Sequence, residues 1–492
     1  MGMETKPLRW PLWLLGLALL SHVISWLVLG PLQDEAYYWT WTQHLQLSYF
    51  DHPPMVAWMM VPFTTLLGDH VWALRLPMVL AWLLTAWLIH DLARRLFASD
   101  RAGLYALLVW TSLPIVMGGF HVATPDTPLV LFTALTYTLY FRAIDTGKDY
   151  DWAATGAAAG LALVSKYTAI LVPGALFLAL LLTRRGRGLL LHRGPWLAVA
   201  AMVVMFLPVV IWNAQNDWAS FLFQIHHGVK TLQPDAAALL LAFIVGQLGV
   251  AMPWTFIAMI GASLGMGRHG GTDSLQRTTL QLGFWVPVLV FGLAGLTAES
   301  GANWTLAAYV PGSIILAATL LRWTGSPQSW RPALLATLYL VPLLILNLIR
   351  FPHWMTALNI DPPQRTQLTH SYGWDRVGDT MQQELDKLGK RGKQCIVIGM
   401  NYQVASELAL ILQDVRRVTT PVGSRISQYD YWRQEGGDLC LYVEQYDHPE
   451  DRSRTLITLP HEGSWRRVTL LENHNPDNTT RWFGFFVPAG KD

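Results

Sequence analysis

Long apolar blocks separated by short polar stretches make up the first 350 residues of this chain, and the remainder is mixed and polar. A bilayer-spanning helix needs about 20 mostly apolar residues. By that measure eleven blocks are candidate spans, near residues 10–30, 72–90, 102–118, 127–144, 152–164, 167–183, 195–212, 236–262, 279–297, 304–321 and 332–349. We therefore predict an all-α polytopic membrane domain at 1–350 with about eleven transmembrane helices, followed by a soluble domain at 351–492.

The polar tail alternates helix-like and strand-like segments. The helix-like ones are 375–388 and 402–412, and the strand-like ones are 395–400, 438–444, 467–471 and 482–487. Such alternation predicts a small α/β domain with a mixed sheet. The two cysteines of the chain, Cys395 and Cys440, both lie in this tail without a CxxC pattern or a Cys/His cluster. Two buried thiols and one disulfide are both compatible with that placement.

The composition agrees with a membrane protein, since 52% of the residues are hydrophobic and only 14% are charged. Soluble domains carry about 25% charged residues. The formal net charge is +2, and the basic residues are scattered rather than clustered. Nucleic acid is therefore not an expected partner, whereas the lipid bilayer is.

Lysine and arginine collect in one set of connections between the apolar blocks. The opposite set holds Lys166 and Lys230, with Arg75 and Arg350 at the ends of blocks. Cytoplasmic loops carry the basic excess, so the N-terminus is predicted to be cytoplasmic. An odd number of spans then places the C-terminal domain outside, which for an inner-membrane protein means the periplasm.

The first outer loop is rich in acids and aromatic residues. It runs from Asp34 and Glu35 through Tyr37 and Trp39 to a Tyr-Phe-Asp-His-Pro-Pro sequence at 49–54, with no lysine or arginine. A single carboxylate at a membrane interface is usually a solvated loop charge. Three carboxylates and one histidine so close together instead indicate a site, and we expect the aromatic rings to flank its ligand.

Two further charged residues are placed at the same outer level. Asp126 opens the fourth apolar block, where an acid is also favoured for helix capping alone. Lys166 lies between the fifth and sixth blocks, where it either snorkels to the interface or meets a phosphate group. Acids from separate helices at one depth are the usual material of a site, so Asp34 and Asp126 are candidate catalytic residues.

The outer loop after the seventh block contains Asn213, His226 and His227. The paired histidines, with Asp51 or His52, are candidate ligands for a divalent metal ion. No local ligand spacing enforces such a site, and chance histidines in a polar loop are the simpler interpretation.

Together these motifs resemble the bacterial branch of the protein O-mannosyltransferase superfamily, which includes the aminoarabinose transferase that modifies lipid A. The pattern of that family is an Asp-Glu pair opening the first outer loop, followed by a Tyr-Phe-acid-basic-Pro-Pro run. The similarity covers most of the membrane domain and is carried by residues 34–35, 49–54, 124–126, 165–167 and 208–213.

The resemblance implies a GT-C fold and an inverting glycosyltransferase. Its donor would be a polyprenyl-phosphate-linked sugar, and its acceptor an envelope lipid, glycan or protein. Asp34 matches the catalytic acid of the family, and Asp126 matches its second acid. Asp51 and His52 stand where relatives place an acid and a basic residue against metal or donor phosphate. The lipid A enzymes have Glu-Lys at that point, so donor and metal stay open.

The chemistry of transfer from a phosphate carrier supports these assignments. An inverting reaction needs one base, which we assign to Asp34, and cationic groups at the leaving phosphate. The cations would be Lys166 with His52, or with a divalent ion at Asp51. The substrate-binding candidates are Glu35, Tyr37, Trp39, His52, Lys166 and Asn213. A transporter that uses intramembrane acids is the alternative, but its acids would gather near the bilayer midplane within repeated halves, and no repeat is visible.

Overall fold

The structure is a computed structural model that describes residues 10–119, 122–228, 235–266, 273–297, 300–324, 331–351, 355, 371–432, 437–446, 455–459, 462–475 and 480–489. The chain divides into two compact units. The first consists of Met1–Ile24, Leu47–Val56 and Pro77–Leu346, and the second of Ser25–Gln46, Ala57–Leu76 and Asn347–Asp492. The C-terminal boundary falls close to the predicted one, but two N-terminal segments group with the C-terminal residues.

Most of the described residues before 351 are helical, since a chain in lipid must satisfy its backbone hydrogen bonds internally. They are α1 (Trp10–Val28), α2 (Gln33–Gln43), α3 (Met55–Leu67), α4 (Val71–Leu96), α5 (Asp100–Thr111), α6 (Pro114–Gly119), α7 (Asp126–Thr146), α8 (Asp149–Ser165), α9 (Leu171–Leu182), α10 (Arg184–Leu189), α11 (Gly194–Gln215), α12 (Ala219–Gly228), α13 (Ala236–Ala251), α14 (Pro253–Gly265), α15 (Ser274–Ala294), α16 (Tyr309–Thr324) and α17 (Arg331–Arg350). Two 3-10 helices, Tyr167–Ile170 and Ala302–Ala308, precede α9 and α16.

Each of the eleven apolar blocks predicted from the sequence coincides with helical structure. Within the described residues, six helices are long and apolar enough to span a membrane alone, or eight when each of two bent pairs counts as one span. The segment predicted as the first outer loop contains a helix that the sequence did not predict. Residues 33–43 form α2, because buried aromatic contacts stabilise it although its sequence has no apolar periodicity.

Close packing of α8 against α11 determines the centre of the first unit. A Cβ atom on Gly156 would lie 1.9 Å from the carbonyl oxygen of Ala198, and one on Gly160 would lie 2.5 Å from the Cβ of Met205. The two glycines are four residues apart on one face of α8, a spacing that lets membrane helices approach backbone to backbone. This contact places the C-terminal end of α8, where Lys166 follows.

The block predicted at 236–262 is broken. Met252 separates α13 from α14 with φ 64° and ψ 140°, and the two helices are bent by 100°. Pro253 starts α14, and a residue that precedes proline is pushed out of the helical region. A non-glycine residue with positive φ stores strain, which surrounding packing must hold in place.

The second unit contains a six-stranded mixed sheet. Its strands are β1 (Ile396–Gly399), β2 (Val418–Thr419), β3 (Leu439–Tyr446), β4 (Leu456–Leu459), β5 (Gly463–His474) and β6 (Thr480–Pro488), in the order β2-β1-β3-β6-β5-β4. β1 pairs in parallel with β2 and β3, and the remaining pairs are antiparallel. Helices α18 (Trp374–Lys387), α19 (Tyr402–Leu412) and α20 (Gln428–Trp432) accompany it.

The predicted α/β character of this region is confirmed. All four predicted strands and both predicted helices are present, and the short strands β2 and β4 were missed. One side of the sheet buries Ile398, Tyr442 and Phe486 in a single apolar cluster. Cys395 and Cys440 form a disulfide with a Cα–Cα distance of 5.8 Å, which settles the alternative that the sequence left open.

Candidate active site

Asp34 lies in the first turn of α2, where the positive end of the helix dipole favours acidic side chains. Its side chain is partly exposed, unlike most of the helix that follows. The Nε2 group of Gln403, at the start of α19, donates a hydrogen bond to Asp34 Oδ1 at 3.1 Å. The predicted base is therefore accessible and is held by a polar contact within the second unit.

Glu35 points away from solvent and forms a buried ion pair with Arg75. Arg75 Nε lies 2.9 Å from Glu35 Oε1 and Nη2 lies 2.6 Å from Oε2, and both side chains are 1% exposed. Arg75 also donates to the carbonyl oxygens of Leu29 and Gly30, and Glu35 accepts the backbone N–H of Leu32. These bonds fix the chain that leads into α2. The prediction that Glu35 binds substrate gains no support from them.

The two aromatic residues proposed to flank the sugar are also buried. The backbone N–H of Gln428 donates to the Tyr37 hydroxyl at 2.8 Å, and the Tyr37 ring lies 4.6 Å from that of Tyr402. Trp39 Nε1 donates to Asp69 at 2.8 Å. In these contacts Tyr37 and Trp39 hold α2 in place, and their predicted contact with a ligand stays a prediction.

Glu407 occupies the next turn of α19 after Gln403. It is fully buried, and neither carboxyl oxygen has a hydrogen-bond partner among the described residues. Burial raises its pKa well above the usual value, and the nearby Glu35 raises it further, while Arg481 and Arg75 oppose the shift. Burial thus favours the protonated form of the Glu407 side chain, and Arg75 is the counter-ion of Glu35.

In the first unit, Asp126 and Lys166 form an ion pair. Lys166 Nζ lies 2.7 Å from Asp126 Oδ1, and the Nδ2 group of Asn303 donates to Asp126 Oδ2 at 2.8 Å. Pro125 occupies the N-cap position of α7 without a side-chain cap bond, so capping is not what holds the Asp126 carboxylate. Lys166 is largely buried in this pair, which argues against simple snorkelling.

The local fold explains how the three groups meet. Lys166 has extended dihedrals at the break between α8 and the 3-10 helix at 167–170, which turns its side chain out of the helical path. Asn303 lies on the 3-10 helix before α16. Buried Gln247 holds that 3-10 helix in place. Its Oε1 accepts hydrogen bonds from the hydroxyls of Thr305 at 2.5 Å and Tyr309 at 2.6 Å.

The remaining predicted residues of the first unit have mainly structural contacts. The Asp51 backbone carbonyl accepts a bond from Gln224 Nε2 at 2.8 Å, and the Asp51 side chain is buried beside the half-buried His52. Asn213 uses both ends of its amide on the backbone, donating to Val209 and accepting from Phe221. It shapes the turn between α11 and α12, and its predicted contact with substrate stays a prediction.

A metal site finds no geometric support in the described part of the chain. Within it, no three His, Cys, Asp or Glu side chains come together. His226 and His227 lie in α12, but their side chains are outside the described residues. No step of the chemistry below is therefore assigned to a metal ion.

Sequence reasoning missed three residues of these clusters. Arg75 appeared only as a basic residue at a helix end. Asn303 belongs to a polar Asn-Trp-Thr run that opens an apolar block at the outer level, a signal that could have been read. Gln403 offered no signal, because its partner Asp34 is 369 residues away in the chain.

Known proteins of similar sequence were found by comparison. A family model described as dolichyl-phosphate-mannose-protein mannosyltransferase matches residues 51–212. The lipid A galacturonosyltransferase RgtD of Rhizobium johnstonii is 28% identical over 399 residues, which are 77% of this chain and 77% of RgtD. The undecaprenyl phosphate-alpha-4-amino-4-deoxy-L-arabinose arabinosyl transferase of Pseudomonas aeruginosa PAO1 is 26% identical over 52% of this chain and 48% of its own. That alignment therefore spans about half of the second relative.

A solved structure extends the comparison to nearly the whole fold. The crystal structure of ArnT from Cupriavidus metallidurans bound to undecaprenyl phosphate superposes with a TM-score of 0.65 at 15% identity, covering 98% of both chains. The crystal structure of the same protein in the apo state superposes with a TM-score of 0.62. The resemblance to the protein O-mannosyltransferase superfamily is thus confirmed by the family model over residues 51–212, and the chain shares the fold of ArnT over nearly its whole length.

Proposed function

We propose that this protein is an inverting glycosyltransferase that moves a sugar from a polyprenyl-phosphate carrier to a cell-envelope acceptor at the outer face of the membrane. The observation that carries the proposal is the similarity to RgtD over three quarters of both chains, combined with a fold that matches ArnT from end to end. Both relatives found by sequence comparison and named above are sugar transferases. The transport alternative has no support among them.

The carrier and acceptor follow from the same relatives. The arabinosyl transferase is named for an undecaprenyl phosphate-linked donor, and RgtD for a lipid A acceptor. We therefore propose an undecaprenyl-phosphate-linked sugar as donor and a lipid A-like envelope lipid as first acceptor to test, ahead of an envelope glycan or protein. Aminoarabinose and galacturonic acid are the two sugars that the relatives suggest.

Asp34 supplies the base in this proposal. Inversion requires an acceptor hydroxyl to attack the anomeric carbon opposite the leaving phosphate, and one carboxylate suffices to take its proton. Asp34 is the partly exposed acid at the start of α2, whereas its neighbour Glu35 is buried against Arg75. The leaving phosphate needs no protonation, so no second catalytic acid is required.

Lys166 supplies positive charge for the phosphate. An ammonium group has three donors and Asp126 engages one, so further bonds to phosphate oxygens are compatible with the ion pair. Asp126 and Asn303 then act by holding the Lys166 ammonium in place. Asp126, a candidate catalytic residue from the sequence, is in this proposal the partner of the phosphate-binding cation.

The orientation in the membrane is part of the same proposal. Disulfides persist in oxidising compartments, and the Cys395–Cys440 bond therefore supports a periplasmic C-terminal unit. The excess of lysine and arginine in the opposite connections supports a cytoplasmic N-terminus. Both observations agree with transfer at the periplasmic face of the inner membrane.

A reconstituted transfer assay tests the proposal directly. Purified protein in phospholipid nanodiscs would be supplied with lipid A and with undecaprenyl phosphate carrying either galacturonic acid or aminoarabinose. Mass spectrometry should detect a sugar added to the acceptor and free undecaprenyl phosphate released in equal amount. Absence of transfer from both donors to lipid A, and to an extracted envelope-lipid mixture, would contradict the proposed activity.

Variants separate the two proposed roles. Asp34→Asn should lower turnover by about two to four orders of magnitude, the usual contribution of a general base, while donor binding persists. Asp386→Asn, an exposed acid on α18, is the matched control. Lys166→Ala should weaken donor binding more than acceptor binding, and an unchanged donor affinity would remove Lys166 from the phosphate site.

A further inference from the structure

We propose that Gln403 is a positioning residue for Asp34, so that α19 of the C-terminal region forms part of the transfer site. This inference rests on the proposed role of Asp34 as base. Its starting point is the hydrogen bond from Gln403 Nε2 to Asp34 Oδ1 at 3.1 Å, between two partly buried side chains of the second unit.

The start of α19 is built to hold Gln403 still. The side chain of Asn401 caps the helix, and its Oδ1 accepts the backbone N–H groups of Gln403 at 3.0 Å and Val404 at 2.9 Å. The adjacent Tyr402 ring packs against Tyr37 of α2. The Asn401 cap therefore fixes the backbone of Gln403. The adjacent Tyr402 ring holds this end of α19 against α2, the helix that carries Asp34.

One turn further along α19, Glu407 lies on the same face as Gln403, because residues four apart are neighbours on a helix. It is fully buried, and the Glu35–Arg75 pair lies close enough to influence its charge. Gln403 thus meets Asp34 at the partly exposed end of a contact that is otherwise closed to water.

The chemistry of a general base explains why such a contact matters. The carboxylate must direct one lone pair at the acceptor hydroxyl, and misplacement by about 1 Å can cost two orders of magnitude in rate. An amide donor on Oδ1 fixes the carboxylate plane without adding charge. A lysine or arginine there would compete for the proton-accepting oxygen, whereas glutamine orients the group and leaves its charge intact.

The test compares turnover with binding in variants of position 403. Gln403→Met keeps the length and removes the donor, and we expect kcat to fall about 10- to 100-fold with the KM for donor unchanged. Gln403→Asn keeps the amide on a shorter stem and should recover part of that loss. Gln382→Met is the matched control, because Gln382 donates an equivalent bond to Asp386 on exposed α18 at 2.8 Å.

A charge variant adds a second measurement, the pH dependence of activity, which would not change if Gln403 had only a structural role. Gln403→Glu places a carboxyl against Asp34, and two adjacent carboxyls retain a proton to higher pH than one alone. The protonated form again provides a donor. The activity of Gln403→Glu relative to the unmodified protein should therefore rise as pH falls from about 8 to about 6. Glutamate has the same shape as glutamine and is polar. Gln403→Glu therefore also tests the positioning role if Gln403→Met folds poorly.

A double variant shows whether Gln403 acts through Asp34. In an Asp34→Asn background the further change Gln403→Met should reduce the residual rate less than twofold, since there is no base left to orient. Full turnover in both Gln403→Met and Gln403→Glu, with Asp34→Asn inactive, would overturn the positioning role alone. Full turnover in Asp34→Asn would instead overturn the base assignment on which it rests.

Discussion

Removal of Arg75 should destabilise the protein by an amount that the structure lets us calculate. Arg75→Met takes the counter-ion from Glu35, which is 1% exposed, and the donors from the carbonyls of Leu29 and Gly30. Breaking a buried ion pair by removing one partner costs about 3–5 kcal/mol, because the other charge remains buried. A domain of roughly 200 residues loses about 2–4 °C of melting temperature per kcal/mol, so we expect a fall of about 6–20 °C.

The measurement is thermal unfolding of the purified protein with its disulfide intact, followed by the fluorescence of the buried tryptophans. A paired variant supplies the internal check. Glu35→Gln with Arg75→Met removes both charges and keeps an acceptor for the backbone N–H of Leu32, so it should recover most of the loss. Arg75→Leu gives a second apolar replacement of similar bulk.

The same comparison separates support from substrate binding. If Glu35 serves only to hold the start of α2, the paired variant should keep its KM for donor and acceptor near the original values. A large rise in either KM without loss of stability would mean that Glu35 contacts substrate after all. A melting temperature of Arg75→Met equal to that of the unmodified protein would refute the reasoning about the buried pair.

Three further predictions concern the second unit. Because the folded-state pKa of Glu407 is raised above its unfolded value of 4.5, folding loses stability as pH rises above that value, by about 1.4 kcal/mol per pH unit. Glu407→Gln should flatten this slope in urea unfolding as the pH rises above 4.5, and an unchanged slope would contradict the raised pKa of Glu407. Replacing Cys395 and Cys440 together by serine should destabilise the unit by up to about 4 kcal/mol, the chain-entropy value for a loop closed between cysteines 45 positions apart. No change in the urea midpoint would contradict this. Alkaline phosphatase fused after Asp492 should be active, and activity only of a cytoplasmic reporter would overturn the proposed orientation.

The helical blocks of the membrane region could be predicted because lipid leaves an apolar chain little alternative to helix formation. The breaks within them could not. The 100° bend at Met252 depends on a local strained backbone and on the proline that follows, and neither interrupts the apolar pattern. α2 was missed for the opposite reason, since its polar and aromatic sequence resembles an interfacial loop and its helix depends on tertiary contacts.

In the candidate site, too, residues with a local sequence signal could be proposed, whereas partners from distant segments could not. Asp34, Asp126 and Lys166 could be proposed as site residues because acids and a cation stand out at one level of an apolar chain. Their immediate partners could not be assigned, because Asn303 and Gln403 approach from segments 177 and 369 residues away. Glutamine and asparagine carry no charge, and nothing in a single sequence distinguishes one that orients a carboxylate from one that faces water.

The discontinuous second unit has a consequence for how the protein is made. Asp34 and Gln403 are separated by 369 residues, which a ribosome translating about 5–20 residues per second adds in about 20 to 75 s. Arg75 is only 40 residues from Glu35, so the start of α2 can acquire its ion pair early in synthesis. The aromatic face of α2 that packs on α19 must wait for most of the chain. During that interval the nascent protein presents Tyr37 without the Tyr402 ring that packs against it in the folded unit.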